Sequence, residues 1–252
     1  MKILFLVRDQ LKVGKEDLRS HHLFVTEFEK HHDVVWWGPL RDNYDQSIPM
    51  PDLVAKYKPD IIYKYGFRMP FEIGLEDVKI PKILYLVDYF PPKGDYPGVK
   101  KPYVNFMLKS KFDTVFVPVS YMVRHVLETG ICNHAILSPF GVNASEFKKH
   151  GVHKDIDVLA LYTVRNDVYP HRLDVIKTII NMKNVNFFHG KTSIRAYVGA
   201  VNRAKIFVTS NNIFGSLSMK YTEVMACGTF MLADEPEDLN LLGFEDGKHL
   251  VI

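Results

Sequence analysis

The feature that most constrains this chain is a rhythm. Short, wholly apolar runs alternate with longer runs whose apolar positions recur at helical spacing. The apolar runs of the first part are "KILFLV", "HDVVWWG", "PDIIYKYG", "PKILYLVDY", "DTVFVPVS" and "HAILSPFG". Strands without polar alternation are buried on both faces, which means a parallel sheet covered by helices. Between them stand "RSHHLFVTEFEKH", with Leu23, Phe24 and Phe28 at helical spacing, then "PDLVAKYK", and "VSYMVRHVLETG" with a glycine stop. The alternation predicts an α/β doubly wound domain.

The texture changes between Asn143 and Lys154, where "NASEFKKHGVHKD" is polar and loop-like. A domain boundary is expected there, dividing the chain into residues 1–148 and 149–252. A second β/α series follows: "DIDVLALYT", "PHRLDVIKTIINMK", "NVNFFHG", "SIRAYVGAVNRA", "KIFVTSN", "LSMKYTEVMACG" and "TFMLAD". Two Rossmann-like halves of this kind leave a cleft between the carboxyl ends of their strands, where ligands bind.

Composition narrows the classes. The 252 residues are 47% hydrophobic and 24% charged, ordinary for a globular protein, and the formal net charge is +3. Residues 151–252 hold equal numbers of basic and acidic side chains, so the whole excess precedes them. That is too weak for a nucleic-acid footprint, and "KKPYVNFMLKSK" at 100–111 is the one candidate for a basic stripe. "MKILFLV" is too short for a signal segment or a membrane span. Cys132 and Cys227 make no metal spacing, and a reducing, cytoplasmic compartment is the simplest expectation.

The segment "GSLSMKYTEVMACGTFMLAD" from Gly215 to Asp234 carries the chemistry. A polar turn over 211–218 leads into a helix expected to start near Leu217. The free N–H groups and positive dipole end of such a helix favour an anion. Glu223, about two turns in, shares a face with Lys220. A phosphate at the helix start and a ribose held by Glu223 explain both residues; a surface i, i+3 ion pair is the alternative. Arg165 after "DVLALYT", or Arg172 at the next helix start, suits a diphosphate; a solvated loop arginine is the alternative for each. Gly14 in the first turn is a lone glycine, either a phosphate approach or an ordinary loop. Asp88 falls at a strand's carboxyl end, as a base or acceptor-orienting group or as a turn residue. His189 either lines a nucleobase or closes a turn. His21-His22 and His31-His32 are adjacent pairs that share no helix face, so they read as surface histidines rather than a metal site.

"SMKYTEVMACGTFMLAD" resembles the donor-site segment of GT-B glycosyltransferases, the retaining family 4 (glycosyl transferases group 1) with a glutamate, seven residues, glutamate signature. "YTVRNDVYPHRLDVI", "SIRAYVGAVNRAKIFVTS", "FEDGKHLVI" and "SPFGVNASEFKK" are similar, in order, to segments of its spore-maturation glycosyltransferase-like branch. The resemblance implies a GT-B fold of two Rossmann-like domains facing a cleft, the second binding a nucleoside diphosphate-sugar of UDP or GDP type. It implies transfer to a glycan or other hydroxyl acceptor with no cofactor. Arg165 and Lys220 would neutralise the leaving diphosphate and Asp88 would serve the acceptor. Gly14, Arg165, Arg172, His189, Gly215, Ser216, Ser218, Lys220, Tyr221 and Glu223 would bind the donor.

Two departures stand out. The family's first glutamate falls on Gly215, so its sugar contact must come from elsewhere. The chain also stops at Ile252, before the helices that cross back in GT-B proteins. A nucleotide-sugar-binding module with little or no catalysis is therefore the rival reading. No Asp-x-Asp motif stands in a usable place, since "DID" at 155–157 opens a strand at the wrong end, and metal independence is expected.

Overall fold

The computed structural model describes residues 1–9, 12, 24–66, 72–91, 101–183, 185–189 and 192–252. They form two units, Met1–Ser138 and Pro139–Ile252.

The first unit is built on a six-stranded sheet in the order β2-β1-β3-β4-β5-β6. Its strands are β1 (Lys2–Leu6), β2 (Asp33–Trp37), β3 (Ile61–Tyr65), β4 (Lys82–Tyr85), β5 (Phe112–Val117) and β6 (Cys132–Leu137). Every pairing is parallel. The apolar runs explain this: Ile3, Leu4 and Phe5 are fully buried, as a strand covered on both faces requires. Helices α1 (Met50–Tyr57), α2 (Lys101–Ser110) and α3 (Tyr121–Glu128) connect the strands. Residues 24–27 are also helical and run into a 3-10 turn at Phe28–Lys30.

Aromatic rings share one face of this sheet. Phe5 stacks on Tyr63 at 4.8 Å and Tyr65 on Tyr85 at 5.5 Å, and Phe24 closes over Tyr65 and Tyr85. Two strand lysines are buried and satisfied locally. Lys82 Nζ donates to the carbonyls of Leu75 and Val78, and Lys64 Nζ pairs with Glu72 at 2.6 Å.

Helix α2 is not among the elements that the sequence pattern shows. The "KKPYVNFMLKSK" run is this amphipathic helix, with Met107 and Ser110 inward and Lys109 paired with Glu76. Proline is tolerated in the first helical turn, where its missing N–H has no partner to lose.

The second unit has a four-stranded parallel sheet in the order β10-β9-β7-β8. Its elements are β7 (Ile156–Ala160), α4 (Arg172–Ile180), β8 (Phe187–His189), α5 (Ile194–Arg203), β9 (Ala204–Thr209), α6 (Met219–Ala226) and β10 (Phe230–Ala233). The terminal segment returns to β10, where Val251 N–H donates to the Met231 carbonyl at 2.9 Å.

The second unit begins ten residues before the boundary expected from the polar texture. The supposed linker is tied to this unit's own elements. Phe147 packs edge-on against Tyr197, His150 N–H donates to Asn202 Oδ1, and Lys154 Nζ donates to the Ala204 carbonyl. Hydrogen bonds to backbone can hold a polar segment where apolar patterning gives no sign of it. Among the described residues no helix is long and apolar enough to cross a membrane.

Candidate functional site

The loop between β9 and α6 is a built turn. Asn212 Oδ1 accepts from the N–H groups of Phe214 (3.0 Å) and Ser216 (3.2 Å), and Gly215 N–H donates to the Asn212 carbonyl at 3.0 Å. Gly215 sits at φ +67°, in the left-handed region that favours glycine. Phe214 and Leu217 drop into the core on either side. Side-chain amide bonding of this kind fixes a turn without regular structure.

Helix α6 follows, with Ser218 as its N-cap. The Ser218 hydroxyl does not cap the helix, and it is buried with no hydrogen-bond partner among the described residues. The hydroxyls of Thr209, Ser210 and Tyr162 share that condition. All four lie toward the carboxyl side of the second sheet: Thr209 ends β9, Ser210 follows it, Tyr162 stands two residues beyond β7, and Ser218 opens α6. A buried hydroxyl without a partner costs about 1–3 kcal/mol. In α/β sheets the carboxyl edge is the side on which ligands bind. The sequence reading missed Thr209, Ser210 and Tyr162. Its available signal was the abrupt change in "KIFVTSNN" from apolar to hydroxyl and amide side chains.

The helix starts at Met219 rather than near Leu217, so Glu223 lies little more than one turn in. Leu217 anchors the turn instead. Glu223 is only 5% exposed, which excludes the surface ion pair. Its charge, after burial itself, helps push the Cys227 thiol up to about 11. Lys220 lays its ammonium 5.2 Å from the centre of the Tyr197 ring on α5. Tyr221 is fully buried, and its hydroxyl stands 2.6 Å from the Asp234 carbonyl and 2.7 Å from Asn211 Oδ1. With Asn211 N–H donating to Asp234 Oδ2 at 3.1 Å, Tyr221 fastens the β9–α6 loop to the loop after β10. Ser216 is buried, and its Oγ accepts from Asn212 Nδ2 at 2.6 Å.

The two arginines part company. Arg165 is half-exposed, in the turn after β7, and forks onto Asp167 through Nε and Nη2 at 3.2 and 2.5 Å. Arg172 opens α4 and is 3% exposed, so it is no solvated loop arginine. It donates to the carbonyls of Thr163 (3.0 Å) and Ser210 (3.3 Å), with its guanidinium 3.4 Å from the Tyr169 ring centre. It bridges the segments that leave β7 and β9.

His189 is the last residue of β8, in register with Ala160. Gly14, His21 and His22 lie outside the described residues. His31 is exposed and His32 only partly buried. Asp88 belongs to the first unit, three residues past β4, at φ +59°. A left-handed aspartate is uncommon but tolerated. Its charge adds to the burial that raises the Tyr65 phenol.

The acidic residues sort by location. Asp155 and Asp157 of "DID" pair with Arg203 and Lys205. Asp238 is buried, and Glu237 packs on Gly215. Among the described residues no three His, Cys, Asp or Glu side chains come together as metal ligands.

Residues 147–252 match the family model described as glycosyl transferase-like. No curated protein matches the chain. Solved structures share its fold at low identity. Sucrose-phosphate synthase from Thermosynechococcus elongatus superposes with a TM-score of 0.60 at 11% identity, over 96% of this chain and 83% of that one. A glycosyltransferase from Rickettsia africae gives 0.56 at 13% identity, over 96% and 81%. Anabaena HepE, solved with UDP and glucose, gives 0.56 at 13% identity, over 98% and 84%. The fold is thus of GT-B type, two Rossmann-like units in one chain, as the sequence alternation and the resemblance led us to expect.

Proposed function

We propose that this chain, whose second unit matches a glycosyl transferase-like domain, is a glycosyltransferase that moves a sugar from a nucleoside diphosphate-sugar to a hydroxyl acceptor. One observation carries the reading. A glycine turn, a helix start whose Ser218 hydroxyl lacks a partner among the described residues, and the buried carboxylate of Glu223 follow one another within a single loop and helix. Fold alone does not specify chemistry, so the site must carry the claim.

In this reading the leading N–H groups of α6 and the Ser218 hydroxyl hold the diphosphate, because a helix N-terminus offers free donors and positive potential. Lys220 adds a point charge. Glu223 accepts from the two ribose hydroxyls. As the glycosidic bond to the diphosphate breaks, negative charge grows on the leaving oxygen, and preorganised donors stabilise it. Asp88 takes the acceptor proton. Arg172 holds the phosphate-facing loops in place rather than touching the donor. HepE was also solved with UDP-glucose, which supports a UDP-type donor here. The resemblance of "SMKYTEVMACGTFMLAD" and "FEDGKHLVI" to the spore-maturation-like branch of family 4 supports assigning the chain to that branch.

Transfer proceeds without metal in this account. The stretch 211–221 contains no Asp or Glu, and a hard divalent cation wants oxygen ligands beside the diphosphate. The test of the whole reading is nucleotide release from UDP- and GDP-sugars, with and without glycan acceptors. Release that rises with an acceptor supports transfer. Tight donor binding without release makes the chain a binding module.

A further inference from the structure

The diphosphate and the ribose have candidate partners in this site, but the transferred sugar has none. The loop after β10 comes onto the turn before α6. Glu237 N–H donates to the Gly215 carbonyl at 2.9 Å, pinning that loop to the turn before α6. The side chain of Glu237 then lies over Gly215. A β-carbon on Gly215 would stand 2.8 Å from Glu237 Cγ and 3.3 Å from Oε1. Real β-carbons do not approach so closely, so any side chain at 215 and this seat for Glu237 exclude each other.

Within the stretch 236–239 one residue is exposed. Pro236, Asp238 and Leu239 are buried on either side, and Leu239 N–H closes the turn onto the Pro236 carbonyl. Glu237 between them is exposed. Its stem rests on a residue with no side chain, and its carboxylate is delivered beside the turn that leads to Ser218. Glycine at 215 therefore serves two ends, the left-handed backbone and the seat for a carboxylate from elsewhere in the chain.

We propose that Glu237 recognises the sugar of the donor, its carboxylate accepting hydrogen bonds from sugar hydroxyls next to the diphosphate. The assignment rests on the nucleotide-sugar reading above. Carboxylates suit this task because an ionised oxygen accepts from several hydroxyls, and such bonds are about twice as strong as neutral ones. The ordinary alternative is that the aliphatic stem merely covers Gly215.

The two differ in what Glu237→Gln does, since glutamine keeps the stem and loses the charge. Binding of UDP, UDP-glucose, GDP and GDP-mannose to the full chain is measured by calorimetry for the wild type, Glu237→Gln and Glu237→Ala. The expected result is affinity for the bare nucleotide within about twofold of wild type and affinity for the matching sugar nucleotide about tenfold lower or worse. A sugar-nucleotide to nucleotide affinity ratio that stays at its wild-type value in both variants overturns the role of Glu237 while leaving the nucleotide site standing. Parallel loss of both affinities also overturns it, because that is the mark of a structural stem. A wild-type chain that binds none of the four ligands overturns the nucleotide-sugar reading, and Glu237's role with it.

Discussion

The guanidinium of Arg172 lies 3.4 Å from the centre of the Tyr169 ring, three residues before it, and 4.7 Å from that of Tyr162. These ring contacts, with two backbone carbonyls accepting from its edge, tie Arg172 into the frame of the second unit. A desolvated cation over aromatic rings contributes about 2 kcal/mol, and its hydrogen bonds to carbonyls add to that.

Arg172→Ala is accordingly expected to lower unfolding free energy by about 3 kcal/mol, read from urea denaturation. Arg172→Lys should recover only part of it, because an ammonium lacks the planar fork. A variant with wild-type stability and weakened diphosphate binding would return Arg172 to the donor contacts.

Lys220→Ala should weaken nucleoside diphosphates more than monophosphates, since a point charge near the distal phosphate acts mostly on the extra charge. Competition binding with UDP against UMP reads this. Equal weakening of both limits Lys220 to its packing on Tyr197.

Chelation should leave sugar transfer intact. Activity with excess EDTA, then with Mg²⁺ or Mn²⁺ restored, decides it. Loss and recovery would draw the acidic loop from Asp234 to Asp238 into a metal site and refute the metal-free leaving-group account.

The two thiols give a pH prediction. Burial pushes Cys132 and Cys227 up to about 11, from an ordinary value near 9. The folded chain then holds protons that the unfolded chain releases between those values. The thiols' contribution to stability should be flat below pH 9 and fall as pH rises toward 11, by at most roughly 1.4 kcal/mol per pH unit for each thiol. The buried phenols of Tyr63, Tyr85 and Tyr221, raised by burial as well, steepen the fall above pH 10. Both thiols should resist a thiol reagent at pH 8 until the chain is unfolded. Rapid modification of either in the folded chain contradicts the burial argument.

Most strands and the helix at Met219 were legible because their signals are local: unbroken apolar runs, and a glycine turn before an amphipathic stretch. Helix α2 was not, since its lysines read as a charge stripe and masked an inner face where Tyr103, Val104 and Phe106 pack beside the buried Met107. The depth of Glu223 was misjudged for a related reason. Leu217 looks like the first helical apolar position, but it is the anchor of the preceding turn. Contacts between distant residues left no trace. Nothing in the sequence brings Glu237 onto Gly215 or closes Tyr162 and Tyr169 around Arg172, because single-chain patterns record period and not proximity. The same limit hid the hydroxyls of Thr209 and Ser210, which have ordinary strand-end identities until their burial is known.

The central claim is that the turn at Gly215 and the first turns of α6 hold a nucleoside diphosphate through the ribose contact of Glu223. Calorimetric titration of the wild type and Glu223→Gln with UDP and with GDP tests it most directly, with circular dichroism confirming the fold of the variant. We predict one saturable site per chain for one of the two nucleotides, weakened about 10- to 150-fold in Glu223→Gln, the loss of a charged hydrogen bond worth roughly 1.5–3 kcal/mol. No saturable binding of either nucleotide, or equal affinity in a folded Glu223→Gln, would contradict the account.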